Sequence, residues 1–507
     1  MLTTPKMTVL RYMGWLTGCS VFTAFVSIIW QAFISLQALN RTTVLLTGLL
    51  AIEGSLKRST VQPAPKVAIG YGACTDLQIN ATEFLERYYG RRIPATTAGS
   101  REIVNNEDEL LQSFAYYFQN GAAAERVMAN GTLFKQLVGY AKQMGKETSG
   151  IQWFMGGNAP LMAVRFFMEG ADVLLGAHMS KKLRPLLPKE IRLAGDEIPD
   201  DDIHLILEYK AGDTWGSYVA PRANRYILHS DRNNPHLRAL EQLTDALKVY
   251  HPQLLVVSGL QMMDMFTFNP GEREARLEQV QRQLTSQPLD TLNHFEMASY
   301  VELRLLQQLR HFVLPYVDSL GMNEQELANL QQVLAHGRTV LATDWNPRIA
   351  HTLDQMREVF ISLLEDFDEQ SRADPRRRRI SRIHVHTLAY QAILTTAGSQ
   401  WKNTRAAAAK AALTAHRYVC KSQFINPEAV LQVLDDSFAT SAQEDAPRMR
   451  IGAASPVPCW REYIEYGRQR QRLEVEICVA PVLVCREARK TAGAGDNISA
   501  SGLAAQL

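Results

Sequence analysis

The chain has 507 residues, 46% of them hydrophobic, with a formal net charge of +2 and six cysteines. That length and apolar share suffice for a large core and more than one domain or lobe. The near-balanced charge gives no electrostatic case for nucleic acid, and six cysteines are too few for a disulfide scaffold.

No charged residue occurs between Arg11 and Arg41. After a tail over 1–12, residues 13–36 are apolar and long enough to cross a bilayer as a helix. Two readings follow, an uncleaved signal anchor and a cleaved signal peptide. The length of the run and the lack of a small-x-small site near residues 35–40 favour the anchor. Residues 37–65 read as a stalk ending in the turn-prone Gln62-Pro63-Ala64-Pro65. Sequons at Asn40, Asn80, Asn130 and Asn497 permit a luminal domain.

Beyond the stalk, a strand over 67–72 leads into Ala73-Cys74-Thr75-Asp76, and a helix-rich region includes 107–126. Gly156-Gly157-Asn158-Ala159-Pro160 opens a helix over 161–169. Short strands follow at 173–176, 203–209 and 222–229. Strand and helix then alternate: strands at 254–258 and 294–298, helices at 271–285, 300–314, 324–336 and 354–367, a strand at 383–386, a helix at 400–418 and a strand at 473–485. This alternation predicts an α/β fold with a doubly wound parallel sheet. The basic run Arg376 to Arg379 reads as a solvated loop rather than a polyanion site.

The last strand is followed by Thr491-Ala492-Gly493-Ala494-Gly495-Asp496, then small residues suited to a closely packed helix start. Glycines let a backbone approach a ligand without a Cβ clash. A helix starting there aims free N–H groups and a positive dipole end at an anion. A carboxylate at the lip of such a hole suits phosphoryl transfer to a hydroxyl, the amides holding charge and the acid taking the proton. His294 and Glu296 lie two apart on a strand and share a face. Asn323 and Glu326 open a helix. They are either oxygen groups supporting Mg²⁺ or an N-cap with its capping-box partner.

Gly156-Gly157-Asn158-Ala159, His294-x-Glu296, Asn323-x-x-Glu326, Ile383-His384-Val385-His386-Thr387 and Gly493-Ala494-Gly495-Asp496 occur in this order. Together they resemble the ADP-dependent glucokinases, a branch of the ribokinase-like superfamily, over most of the chain from about Val67. The animal form, which also begins with an apolar segment, is the most similar. Archaeal relatives carry Asn two residues before the sugar-binding Asp; this chain has Cys74 before Asp76.

The resemblance implies a large α/β domain over 66–507 that carries a discontinuous lid, roughly 77–129 and 193–230. It implies phosphorylation of glucose by ADP with Mg²⁺, in a monomer or loose association, at the endoplasmic reticulum membrane or in its lumen. A cleaved N-terminal segment would allow secretion. An ATP-dependent sugar kinase and a non-catalytic membrane-anchored binding protein are the alternatives. By the same resemblance Asp496 is the base, and Gly493, Ala494 and Gly495 form the anion hole. Asp76, Glu125, Gly157, Asn158 and His204 contact sugar. Arg225 clamps phosphate, His386, Val482 and Val484 border adenine, and Glu296, Glu326 and Asn323 support Mg²⁺. Cys420 and Cys485 are open between two buried free thiols and a disulfide. The resemblance to the animal enzymes keeps the disulfide in play.

Overall fold

The computed structural model describes residues 5–56, 63–90, 92–94, 103–147, 152–340, 346–426, 428–433, 435–486 and 488–507. Two sheets organise it. The larger has ten strands, and seven of them run parallel: Arg192–Ala194, Asp172–Gly176, Lys66–Gly70, Leu254–Val257, Leu292–Glu296, Ser319–Asn323 and Arg382–His386. Tyr390–Thr396, Gln471–Pro481 and Cys459–Tyr466 extend it with antiparallel pairings. The strand Leu254–Val257 shows why it is doubly wound. All four residues are buried, Leu255 and Val257 in one apolar cluster and Leu254 and Val256 in another. A strand covered on both faces reads as a continuous apolar run rather than an alternation.

The smaller sheet has six strands, in the order Ile103–Val104, Ala124–Met128, Asn224–His229, Asp202–Tyr209, Cys74–Asn80 and Gln152–Gly156. Phe84, Phe114, Phe118, Trp215 and Tyr226 fill its own core. It spans residues 74–156 and 202–229, whereas the lid segments expected from the resemblance omit the helix Gly131–Glu147 and the strand Gln152–Gly156. The strand Arg192–Ala194, at the start of the expected second segment, belongs to the large sheet.

The N-terminal helix runs Pro5–Gly54, and residues 22–54 are long and apolar enough to cross a membrane. Phe22, Ile29 and Trp30 on it are exposed, whereas Leu45 and Leu49 are fully buried. The stretch read as a stalk is therefore helical to Gly54 and packed on the domain; residues 57–62 lie outside the described residues. Apolar side chains at 45, 46 and 49 give a seam at helical spacing, which the polar turn signals further on hide from a composition reading.

The strand expected over 473–485 ends at Pro481, with Leu483–Val484 forming a separate pair with Val430–Leu431. The run Arg376 to Arg379 is a loop that is solvated only in part, Arg376 and Arg379 being exposed. Arg378 is buried and donates to Thr291 O and Asp318, Arg377 pairs with Asp366, and Arg379 reaches the Tyr466 hydroxyl.

Candidate active site

The parallel strands deliver the site at their carboxyl ends. Glu296, Asn323 and His386 are the last residues of three adjacent strands, where open α/β sheets place ligands. Gly493 (φ 74°) caps the helix Ala494–Ala504. A Cβ there would meet Leu161 at 2.5 Å and Tyr418 Oη at 2.9 Å, so the turn admits only glycine. The helix start aims into a cleft of about 600 Å³ lined by Gly493, Ala494, Gly495, Asp496, Arg225, Glu296, Asn323, Glu326, His386, Val482 and Val484.

Asp496 is buried, and Asn158 Nδ2 donates to its Oδ1 at 2.8 Å. Burial, with the nearby Glu296 charge, pushes its carboxyl up to about 6 despite that bond. Gln261 Nε2 in turn donates to Asn158 Oδ1 at 2.5 Å, fixing the amide so that its N–H₂ faces the acid. Gln261 was not anticipated from the sequence. Its signal is Gly259 (φ 77°), which turns the chain sharply after a buried strand.

Glu296 sits in a buried bond set. His294 Nε2 is 2.9 Å from its Oε2, Ser499 Oγ donates to the same oxygen at 2.6 Å, and His386 Nε2 is 3.5 Å from Oε1. Burial alone would raise this carboxyl, but the His294 bond and the nearby His386 ring outweigh it and hold it at about 2. Gly321 on the next strand makes the room, since a Cβ there would stand 2.2 Å from Glu296 Oε2. Glu326 and Asn323 form the capping box: Asn323 Oδ1 accepts from Glu326 N, and Glu326 Oε2 accepts from Asn323 N, each at 2.9 Å. The cap and a place in the cleft are therefore compatible. Burial pushes Glu326 up to about 7, against the pull of His386.

A second pocket of about 110 Å³ opens beside the first and shares Glu125, Asn158, Arg225, Gln261, Gly493 and Asp496 with it. Asp76, Gly157 and His204 line it as well. All five residues expected to contact sugar thus meet here, two from the large sheet's side and three from the small sheet. Gly156 permits this, because a Cβ would fall 1.9 Å from Asp76 Oδ1. Asp231, also unanticipated, accepts from His204 Nε2 at 3.0 Å. Arg225 lies at the junction of the two spaces, and its buried Nε finds no hydrogen-bond partner among the described residues. Thr491 Oγ1 donates to Glu208 Oε1 at 3.0 Å, tying the glycine loop to the small sheet.

Cys420 and Cys485 are joined by a disulfide with Cα atoms 5.8 Å apart, linking the end of one helix to the segment before the glycine loop. A second, unanticipated disulfide joins Cys459 and Cys478, which are directly opposite on neighbouring strands. Asn497, one of the four sequons, is buried and bonded to Gly493 O and Arg165, so it is no glycan acceptor in the folded chain.

A parallel sheet carrying Glu296, Asn323 and His386 at its strand ends, beside a smaller covering sheet, is the architecture of the ribokinase-like kinases. Comparison gives the family. A family model described as the ADP-specific phosphofructokinase/glucokinase conserved region matches residues 65–505, and the chain belongs to that family. The ADP-dependent glucokinase of Bos taurus is 32% identical over 451 residues, covering 87% of this chain and 85% of the relative. The ADP-dependent glucose/glucosamine kinase of Pyrococcus furiosus is 24% identical, covering 89% and 96%. A solved ADP-dependent kinase, in complex with fructose-6-phosphate and ADPβS, shares the fold at 15% identity with a TM-score of 0.61, covering 92% of this chain and 97% of its own.

Proposed function

We propose that this kinase transfers the β-phosphoryl group of ADP to the 6-hydroxyl of glucose, yielding glucose 6-phosphate and AMP. The observation that carries this reading is Asp496, a buried carboxylate held by Asn158 where the two cavities join. Sugar in the small pocket presents a hydroxyl to Asp496, and ADP in the large cleft presents its phosphates to the glycine loop. Asp496 takes the hydroxyl proton, the sugar oxygen bonds to the β-phosphorus, and the bond from that phosphorus to the bridging oxygen breaks. The amides of Gly493, Ala494 and Gly495 hold the charge on the moving group, and Arg225 clamps phosphate with a guanidinium suited to it. Val482 and Val484 supply an apolar wall for adenine.

Glu296, Glu326 and Asn323 fit a Mg²⁺ role. They offer oxygen donors, and the Glu296 charge adds to burial in pushing the carboxyls of Glu326 and Asp496 up, negative charge that a cation relieves. Bound there, Mg²⁺ would neutralise phosphate charge, with these residues holding it through its waters. Closure of the small sheet over the sugar would exclude water and limit hydrolysis. The N-terminal helix would anchor the enzyme at the endoplasmic reticulum membrane. The test is full-length protein with glucose and Mg²⁺, given ADP or ATP in turn, scored by glucose 6-phosphate. Product with ADP and little with ATP is expected; product with ATP alone overturns the donor, and none with either overturns the reading.

A further inference from the structure

Three groups of different chemistry converge in the small pocket. The Cys74 thiol, the Asp76 carboxylate and the His204 imidazole place their ligand atoms within 4.8 Å of one another. Cys74 and Asp76 alternate on one strand and so share a face, and His204 is paired with Asp76 on the parallel neighbour. Cys74 Sγ is 3.3 Å from Asp76 Oδ1. Two ligands on one tetrahedral zinc stand about 3.5 Å apart, given metal–ligand bonds of about 2.0–2.3 Å.

His204 has a further feature that a sugar contact does not require. Its Nε2 bonds Asp231 Oδ1 at 3.0 Å, and Asp231 is itself held by Asn234 Nδ2 at 2.8 Å. A carboxylate behind an imidazole orients metal-ligating histidines and raises their basicity. The other ring nitrogen, Nδ1, stands 3.8 Å from Glu125 Oε1, and both residues line the pocket. Access exists, because the pocket shares Asn158, Gly493 and Asp496 with the large cleft.

We propose that Cys74, Asp76 and His204 form a binding site for a soft divalent cation such as Zn²⁺, backed by Asp231, and that its occupancy shuts sugar out. Thiolate and imidazole donors select this class of ion, whereas the acids of the cleft offer oxygen alone, which suits Mg²⁺. On binding, the Cys74 thiol gives its proton to solvent and its sulfur bonds the metal. The competition rests on the sugar reading above; the metal site does not.

Cobalt serves as the probe, since it replaces zinc and gives a thiolate-to-metal absorption band only when a cysteine ligates it. Full-length protein titrated with Co²⁺ is expected to show that band, Zn²⁺ to abolish it by displacement, and Cys74→Ser, near-isosteric and checked for retained melting temperature, to lack it. Asp231→Asn is expected to weaken zinc binding about 10- to 100-fold, the cost of losing such an outer partner. No band in folded wild-type protein, or a band that survives in Cys74→Ser, overturns the site. Glucose is expected to displace the metal, and zinc to inhibit competitively with glucose. A Cys74-dependent band that persists at saturating glucose overturns the competition and counts against the sugar pocket, leaving the metal site standing.

Discussion

In the proposed reaction Asp496 is the base, and its carboxyl carries the cost of burial. Its carboxyl is raised from 3.8 to about 6 by burial and by Glu296, so the ionised form that accepts a proton is the form the fold disfavours. The sign follows: the cost to stability is present above about pH 6 and vanishes as pH falls below the ordinary carboxylate range. Asp496→Asn is expected to lower turnover by about two orders of magnitude or more, the scale of general-base removal. Its melting temperature at neutral pH should equal or exceed that of the wild type. Turnover within about twofold of wild type would sink the assignment. The same titration predicts that turnover falls with acid below about pH 6. Asn158→Ala, which deletes the bond favouring the ionised form, should move that limb to higher pH. A pH–rate profile of both proteins decides it, and an unmoved limb assigns it to another group.

At the scale of elements, the site is a row of strand ends closed by a helix start and stapled by a disulfide. Asn323 and Glu326 begin the helix Glu324–His336 and line the cleft together, so a substitution must spare the cap to be read. Glu326→Gln does so, because Gln also serves at that capping position. It is expected to raise the Mg²⁺ needed for half-maximal rate; an identical Mg²⁺ titration would leave Glu326 as a cap alone. The Cys420–Cys485 disulfide closes a span of 65 residues behind the glycine loop. Loop-closure entropy puts its stabilisation on the order of 4 kcal/mol as an upper figure. Cys485→Ser should therefore lower the melting temperature and, by loosening the segment before Gly493, lower turnover too. A melting temperature that drops while turnover holds would confine the bond to stability.

Across the whole molecule, the N-terminal helix is bound into the domain. Arg417 Nη1 and Nη2 donate to Glu53 Oε1 and Oε2 at 2.6 and 2.8 Å, and Lys410 Nζ lies 3.1 Å from Oε1. Lys410 also pairs with Glu169 at 2.9 Å, Glu169 with Arg165 at 3.6 Å, and Arg165 Nε donates to Asn497 Oδ1 at 3.0 Å. The chain of contacts ends one residue from Asp496. Glu53 is half-buried and its carboxyl is lowered: burial opposes ionisation, and the Arg417 and Lys410 contacts outweigh it. Its stabilisation is present above the ordinary carboxylate range and is lost as pH falls below it. Glu53→Gln is expected to cost on the order of 1–3 kcal/mol, the scale of hydrogen bonds to charged groups. Denaturant unfolding of the full chain measures this, and an unchanged midpoint would show the helix end to be a passive tether.

The alternation of strands and helices, the glycine loop and the polar groups at strand ends were legible in the residues alone, because period and turn chemistry are local. So was the family resemblance, which rested on short motifs kept in order. The antiparallel strands Tyr390–Thr396 and Cys459–Tyr466 were missed: the first is a short buried run that differs little from a core helix segment until its partners are known, and the second is a partly exposed edge strand whose apolar residues are interrupted by charged ones. Gln261 and Asp231 were missed for a related reason: each acts through a neighbour more than 25 residues away, Asn158 or His204. The docking of Leu45 and Leu49, the second disulfide and the burial of Arg378 likewise depend on which surfaces meet. Local sequence thus determined the parts and their chemistry. Only the tertiary structure decided which of them share a pocket, because burial and long-range pairing belong to the packed chain and to no segment of it.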